Sequence, residues 1–520
     1  MKYTLTIIIS VLNYFDIQAQ QFEFLYDHNG FSNDGVSIVK MNSGYFTTHA
    51  ARNLNFDYTT LVAAFDENAS LIWDTSLTSL TIEKGQSNWN VNILSDVNNS
   101  DKWVIGNFVD SGNNSRTVFL NKFNEAGQII NEVILDTLFE KSPDVWGGFS
   151  NISGLYLLCR DNTLGGNNRM LIVKCTIEGQ YDWHQSYNVG FSFSPKCIVD
   201  VEDGFIVGGS RYANLIDQGN GDGEQIILKF NYNGISQWTN TVRFNGNANF
   251  GAVGIIKLNS GNFLFAGTKN IDNVSIQPLI GELDAGTGDT LWTKLFFESQ
   301  VYDANDLANF NSINRIHGFK QLSDGGYLGV GECRHDIIPD SAFGPLDNAA
   351  FLMKLDNNFN LLWKRIYIPE GYDELDASPA QCQLNDFVEN EDGSITALGR
   401  VYMCTGTGPQ GGYIQDSYMI RVDSLGCLIP GCSIGITEFD DLSDLLVYPN
   451  PTSSNLTIQL PTNDSWTVRL YNMNGQVVSA EKINGNNRLD LNLQNFTSGL
   501  YTVQAMNENG KVYTKVVVRE

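Results

Sequence analysis

The chain has 520 residues, 58 acidic and 32 basic, and a formal net charge of −26 that disfavours nucleic acid and bare anionic membrane surfaces while leaving cations and neutral glycans as partners. The same acidity keeps an exported protein soluble. With 49 glycines, 12% aromatic residues and almost no sustained 3.6-residue periodicity, the composition excludes a helical bundle and predicts an all-β chain, long enough for one large and one small domain.

At the N-terminus Lys2 precedes an apolar run from Leu5 to Phe15, the length of a signal-peptide core and too short to span a bilayer. Ile17-Gln18-Ala19 follows as a small-residue cleavage site, so residues 1–19 read as a signal peptide, with a buried strand as the alternative. No later stretch approaches the 18 uninterrupted apolar residues of a membrane span, and no transmembrane segment is expected.

Repeats organise residues 20–432. Trp73, Trp183, Trp238, Trp292 and Trp363 recur at roughly 55-residue intervals that lengthen to about 70, and Asn131 stands where one tryptophan is missing. Lys174, Lys229 and Lys354 precede their tryptophans by nine residues, as Lys122 precedes Asn131; Trp73 and Trp292 lack the basic residue. The last copy has Arg421 and Asp423, with Pro430 where tryptophan would fall. Strands ending on glycine, such as Gly204 to Gly209 and Gly326 to Gly331, lie upstream, the latter joined by a Ser323-Asp324-Gly325-Gly326 turn to a strand from Ile313 to Gln321. Four strands per unit in register is what a β-propeller requires, and the anchors, filled or lost, predict seven blades. Gln21 to Tyr26 alternates as the outer strands do, and is expected to complete blade seven and close the ring.

Reactive motifs are sparse. Asp284 to Trp292 resembles the docking motif of quinoprotein dehydrogenase propellers, where the indole packs between blades, but one unit alone matches and no adjacent cysteine pair accompanies it. Sialidase Asp boxes place tryptophan three residues after glycine, whereas Gly179 and Trp183, or Gly234 and Trp238, are four apart. The indoles therefore read as interblade packing, and no cofactor is expected. His28, His49, His184, His317 and His335 are scattered, and no H-E-x-x-H, G-x-S-x-G or phosphate-cradling loop occurs. Asp217 to Glu224 supplies hard oxygen ligands that suit calcium, though not at EF-hand spacing, and serves equally as a plain strand connection. Among 8 cysteines, Cys427 with Cys432, flanking a Pro-Gly turn, and Cys382 with Cys404, at one end of neighbouring strands, are disulfide candidates. Cys175 reads as a buried free thiol.

Blades six and seven carry insertions at 298–312, 334–350, 368–383 and 403–416, connections that all leave an up-and-down blade on one side. Tyr302, Phe310, Asp336, Phe343, Tyr372 and Asp373 within them form a candidate rim for stacking sugars or gripping a peptide; loop growth without function explains the same lengths.

Residues 433–445, with Asp440, Asp441 and Asp444, read as an acidic linker suited to proteolysis. Beyond it, strands around Leu456 to Leu460, Thr467 to Tyr471, Gln476 to Ser479, Leu489 to Leu493, Gly499 to Ala505 and Val512 to Val518 predict a small immunoglobulin-like β-sandwich over 446–520, with Asn474-Gly475 as a hairpin. Tyr448-Pro449-Asn450-Pro451, then Val468 to Val478 including Gly475, then Ser498-Gly499-Leu500-Tyr501, in that order, resemble the type A C-terminal sorting domain of the type IX secretion system. The resemblance implies recognition by that machinery, export across an outer membrane, and surface attachment or release. The expected function is non-catalytic binding or adhesion towards a glycan or peptide; the alternative is a secreted propeller hydrolase acting on polysaccharide through carboxylates near the axis.

Overall fold

The computed structural model describes residues 22–26, 32–52, 58–77, 85–87, 91–110, 116–135, 142–162, 169–212, 223–243, 251–270, 276–296, 314–334, 348–367, 369, 381–405, 412–428, 445–460, 465–472, 477–507 and 512–519. Every regular element among them is a strand. The chain divides into two compact units, Met1–Cys432 and Ser433–Glu520.

In the first unit the described strands form antiparallel groups of four. Group one runs Ser32–Met41, Gly44–Arg52, Tyr58–Phe65 and Leu71–Leu77. Group two runs Gly85–Ser87 and Asn92–Ser95, which share the first position, then Lys102–Asp110, Arg116–Phe123 and Ile129–Leu135. Group three runs Pro143–Asn151, Gly154–Asp161, Arg169–Cys175 and Tyr181–Tyr187; group four Phe191–Val201, Gly204–Tyr212, Glu224–Phe230 and Ser236–Arg243. Group five runs Gly254–Lys257, Phe263–Asn270, Ile276–Leu283 and Thr290–Leu295; group six Asn314–Gln321, Tyr327–Arg334, Asn348–Leu355 and Leu361–Tyr367. Group seven runs Gln381–Glu389, Ile395–Thr405 and Gly412–Val422, and its fourth strand is Phe22–Tyr26 from the other end of the chain. The first strands lie against one another in sequence order, and that of group seven lies against that of group one.

Burial explains which strands alternate. Gly154–Asp161 and Arg169–Cys175 are covered on both faces by neighbouring groups and read as continuous apolar runs, whereas the outer strand Tyr181–Tyr187 keeps water on one side and is mixed. The anchor tryptophans sit on these outer strands and reach into the next group. Trp73 donates its indole N–H to Glu125 O at 3.2 Å and Trp238 to Ala285 O at 3.0 Å. Each ring lies on a left-handed glycine of the receiving turn: a Cβ at Gly127 or Gly288 would fall 2.5 or 2.4 Å from the indole, so both the backbone and the contact require glycine.

The irregular copies keep the same joint by other means. Asn131 donates to Glu178 O at 2.8 Å, and the indole that lies on Gly179 is instead Trp103, from the second strand. Trp292 meets Phe359 where other turns have glycine and donates to Glu282, the residue that occupies the lysine position of that copy. The seventh anchor is not lost at Pro430, which lies outside the described residues. Phe22 pairs with Arg421 as Trp183 pairs with Lys174, so the anchor position is filled by the N-terminal strand and cannot be found by counting forward from Arg421. The repeated basic residues are structural partners. Lys122 meets Asp96 at 2.6 Å, Lys229 meets Asp203 at 2.8 Å, Lys354 meets Asp324 at 2.7 Å and Arg421 meets Asp392 at 2.9 Å, each acid standing in or beside the turn between first and second strands.

Cys175 is buried and free. The Cys382–Cys404 pairing is corrected: Cys382 is also a free thiol, packed among Leu328, Ala350 and Tyr418. Its cross-strand partner is Val401, and Cys404 lies three residues further along, opposite Tyr413, a separation of about 10 Å along a strand that a disulfide does not span.

The second unit has a three-stranded sheet, Leu446–Tyr448, Asn455–Gln459 and Arg488–Asn492, and a four-stranded one, in the order Val477–Ile483, Trp466–Asn472, Gly499–Asn507 and Val512–Arg519. Both contribute to a single core that contains Leu456, Ile458, Trp466, Val468, Leu470, Tyr501 and Val503.

Candidate functional site

The rim residues Tyr302, Phe310, Asp336, Phe343, Tyr372 and Asp373 lie outside the described residues, as do Asp217 to Asp222 of the acidic loop. Glu224, at the end of that loop, accepts hydrogen bonds from Arg211, with Nε at 3.0 Å. Among the described residues no three histidines, cysteines or carboxylates cluster as metal ligands. His49 sits between Ser417 Oγ and Thr47 Oγ1, each at 2.7 Å, in a pairing that looks nucleophilic on paper. It is completely buried in the seam between groups one and seven, so it serves packing there.

A different set of residues is brought together by the first strands. In groups one, three, four, six and seven the pairing with the second strand slips by one residue at the same place, and Val36, Trp146, Lys196, His317 and Asn385 are the extra residues. Each stands five residues before the turn that follows, at Met41, Asn151, Val201, Leu322 and Asn390. The equivalent positions in groups two and five hold Val91 and Val253, just before their paired stretches. A bulge breaks the in–out alternation and re-aims one side chain. Here Val145, Ile316 and Leu384 are buried, while Trp146, Lys196, His317 and Asn385 stay partly exposed.

Two sectors carry the polar bulges. In groups three and four, Asp144 accepts hydrogen bonds from Arg160 at 2.8 Å and Trp146 Nε1 at 3.3 Å and pairs with Arg116 at 2.9 Å. The Trp146 ring has the Arg160 guanidinium 5.5 Å and the Lys196 ammonium 5.3 Å from its centroid, within cation–π range. In groups six, seven and one, Glu332 pairs with Arg315 at 2.8 Å and accepts from Asn348 at 3.2 Å, with His317 Nε2 at 3.8 Å. Asp34 pairs with Arg400 at 2.9 Å, and Asn385 donates to Gly35 O at 2.7 Å.

Electrostatics separates the carboxylates. Burial alone raises Glu332, but His317 and Arg315 outweigh it and hold the carboxyl at about 2. Asp34 moves the other way: burial raises it despite Arg400, Asn385 and His317. Lys196 is pulled down to about 8, first by burial and then by repulsion from Arg315 and Arg160, so cations from both sectors act on it. The side chains of Asp34, Asp144 and Glu332 keep 9%, 4% and 8% of their surface, against 29%, 24% and 33% for Arg400, Arg160 and Arg315. The groups left for a ligand are therefore cationic, aromatic and amide. Sequence reasoning missed all of them, since a bulge leaves no motif; the available signal was the same offset before each turn, occupied by Trp, Lys, His and Asn instead of valine.

In the second unit the sorting motif is a structural clasp. Asn450 Oδ1 accepts from Val518 N, and Thr452 N donates to Val518 O, both at 2.9 Å, which fastens the turn after Tyr448 to the last strand. Pro449 and Pro451 both follow cis peptide bonds. Gly499 adopts φ +152°, and Tyr501, buried, donates to Thr497 O at 2.8 Å. Gly475 lies outside the described residues.

Residues 446–519 match the family described as the secretion system C-terminal sorting domain. An endo-acting ulvan lyase of Formosa agariphila is 33% identical over 76 residues, which is 15% of each chain. An ulvan lyase of Nonlabens ulvanivorans is 37% identical over 82 residues, 16% of this chain and 15% of that protein. The chain thus spans a small fraction of these relatives, close in length to the sorting domain. Among solved structures, the Pseudomonas aeruginosa periplasmic gluconolactonase is 11% identical with a TM-score of 0.41, covering 76% of this chain and 97% of that one. The Dos1 propeller is 10% identical with a TM-score of 0.39, covering 77% and 95%. The strand groups, the clasp and the family match together identify an exported β-propeller protein, secreted or held at the outer-membrane surface, with a type IX secretion C-terminal sorting domain.

Proposed function

We propose that the first unit is a non-catalytic binding or adhesion module, carried outside the cell by its sorting domain, with its ligand held at the mouth where the bulged first strands converge. The observation that carries this reading is the exposure pattern: the carboxylates are shielded and clamped by guanidinium groups, while cations, an indole and amides stay partly exposed. Shielded, ion-paired acids position their partners and are poorly placed to exchange protons with a ligand. In the same reading the strand groups are the blades of a seven-bladed propeller spanning 20–432, supported by the cyclic order of the first strands and the Phe22–Tyr26 seam. Residues 1–19 are removed as a signal peptide, 433–445 link the units, and 446–520 form an immunoglobulin-like sandwich. Cys427, which is disulfide-bonded, pairs with Cys432. In the same reading Tyr302, Phe310, Asp336, Phe343, Tyr372 and Asp373, on the insertions at 298–312, 334–350 and 368–383, supply further ligand contacts.

A secreted polysaccharide hydrolase is the second reading, favoured by one observation: Asp34 is pushed up and Glu332 down, with His317 acting on both, and acids driven apart in this way can divide acid and base roles. A glycan array and a hydrolysis screen on the full chain separate the two. Binding without turnover is expected; turnover abolished by Glu332→Gln and Asp34→Asn together establishes the hydrolase.

A further inference from the structure

Among the described residues Lys196 is a bulge residue whose charge has no carboxylate counterpart, unlike the arginines of the neighbouring strands. Arg160 and Arg116 share Asp144, Arg315 has Glu332 and Arg400 has Asp34, but among the described residues Lys196 has neither a carboxylate partner nor a hydrogen bond, only the face of Trp146. Among the described residues Arg116, Arg160, Arg315 and Arg400 pair with three carboxylates and Lys196 with none, within a protein whose net charge is −26. A partly buried ammonium that shares an indole with the Arg160 guanidinium is costly to maintain without an anion. The bulge that places it adds to that cost, because it interrupts the ladder between Pro195 and Cys197.

We propose that the mouth binds an anionic group of a saccharide chain, a carboxylate or a sulfate ester, seated against Lys196 and Arg160 where both lie over the Trp146 ring. The inference rests on the binding reading above and supplies its ligand class. The global charge repels polyanions at long range, whereas this local excess acts within a few ångströms, where contact chemistry outweighs a screened field. Neutral amides stand beside the cations: Gln383 and Asn385, hydrogen-bonded to each other at 2.6 Å, are both partly exposed and able to meet sugar hydroxyls. A saccharide bearing carboxylates or sulfates offers both kinds of group, and a free ion offers one.

The test is titration calorimetry of the full chain with an oligogalacturonate, a sulfated dextran oligomer, an uncharged dextran oligomer, a polyglutamate peptide and sodium sulfate. One or both acidic oligosaccharides should bind, and Lys196→Met should weaken that binding at least tenfold with an unchanged or raised melting temperature, while Lys196→Arg retains it. A lower melting temperature for Lys196→Met together with unchanged binding means a structural lysine and overturns the proposal. Equal binding of the uncharged oligomer overturns the anionic class and leaves the binding module standing. Sulfate or polyglutamate binding as tightly as the oligosaccharides overturns the saccharide. No binding by any probe, in a chain that still binds a glycan on the array, places the site elsewhere; no binding on the array as well overturns both readings.

Discussion

The two ends of the strand groups differ in kind. At the end where first and second strands meet, joints repeat: a basic residue on the third strand, an acid at the turn, and an indole or its substitute on the next group. At the end where first strands begin, one register position is occupied in turn by valine, valine, tryptophan, lysine, valine, histidine and asparagine. Repetition marks the scaffold, and the proposed site lies where an equivalent position stops repeating. Lysine appears at both ends with opposite meaning. Lys229 has Asp203 at 2.8 Å and belongs to the scaffold, whereas Lys196 has an indole face that it shares with Arg160.

The seam offers the strongest way to break the scaffold half of this comparison. Deleting Phe22–Tyr26 strips the outer strand from Gly412–Val422, exposes an open sheet edge and removes the Tyr26 ring from Phe65 and His49. The melting temperature should fall by more than for any single substitution, and an unchanged value contradicts the closure. Next in size, Trp238→Ala empties a joint that is 92% buried and also removes its bond to Ala285, with an expected cost of about 3 to 5 kcal/mol in denaturant unfolding. Ligand affinity of the folded fraction should not move.

Glu332 sharpens the other half through pH. Its folded pKa of about 2 lies below the ordinary 4.5, so its contribution is fully present above about 4.5 and disappears as pH falls from there towards 2. Glu332→Gln should therefore cost roughly 3 kcal/mol at neutral pH, and the gap to the unaltered protein should close in that acid window. A gap that stays constant to pH 2 means the carboxylate is not held by Arg315 and His317. Smallest of all, Lys354→Met breaks a pair whose acid, Asp324, is half exposed; less than about 1 kcal/mol is expected, with no change in binding.

Much of the scaffold was legible in the sequence because large apolar rings must be buried and left-handed turns need glycine: Trp73, Trp238 and their receiving turns announce themselves. What stayed hidden depends on pairing across long distances. The alternation of Gln21 to Tyr26 announced the closing strand, but that Phe22 fills the seventh anchor depends on its register against Arg421, which no local pattern encodes. Cys382 looked paired by its place at a strand end, yet its side chain faces Leu328 and Tyr418 in the core. The bulges are invisible for the same reason, since register exists between strands and not along one. Even the charge misled, because a total of −26 says nothing about where Arg116, Arg160 and Lys196 gather around Asp144 and Trp146.

A crystal structure of the full chain with a bound oligogalacturonate or sulfated dextran oligomer tests the central claim most directly. The expected result is a carboxylate or sulfate group against Lys196 and Arg160, with the turn end of the groups bare. A saccharide seated instead on the repeating joints around Lys229 or Lys354, with the bulged mouth empty, contradicts it.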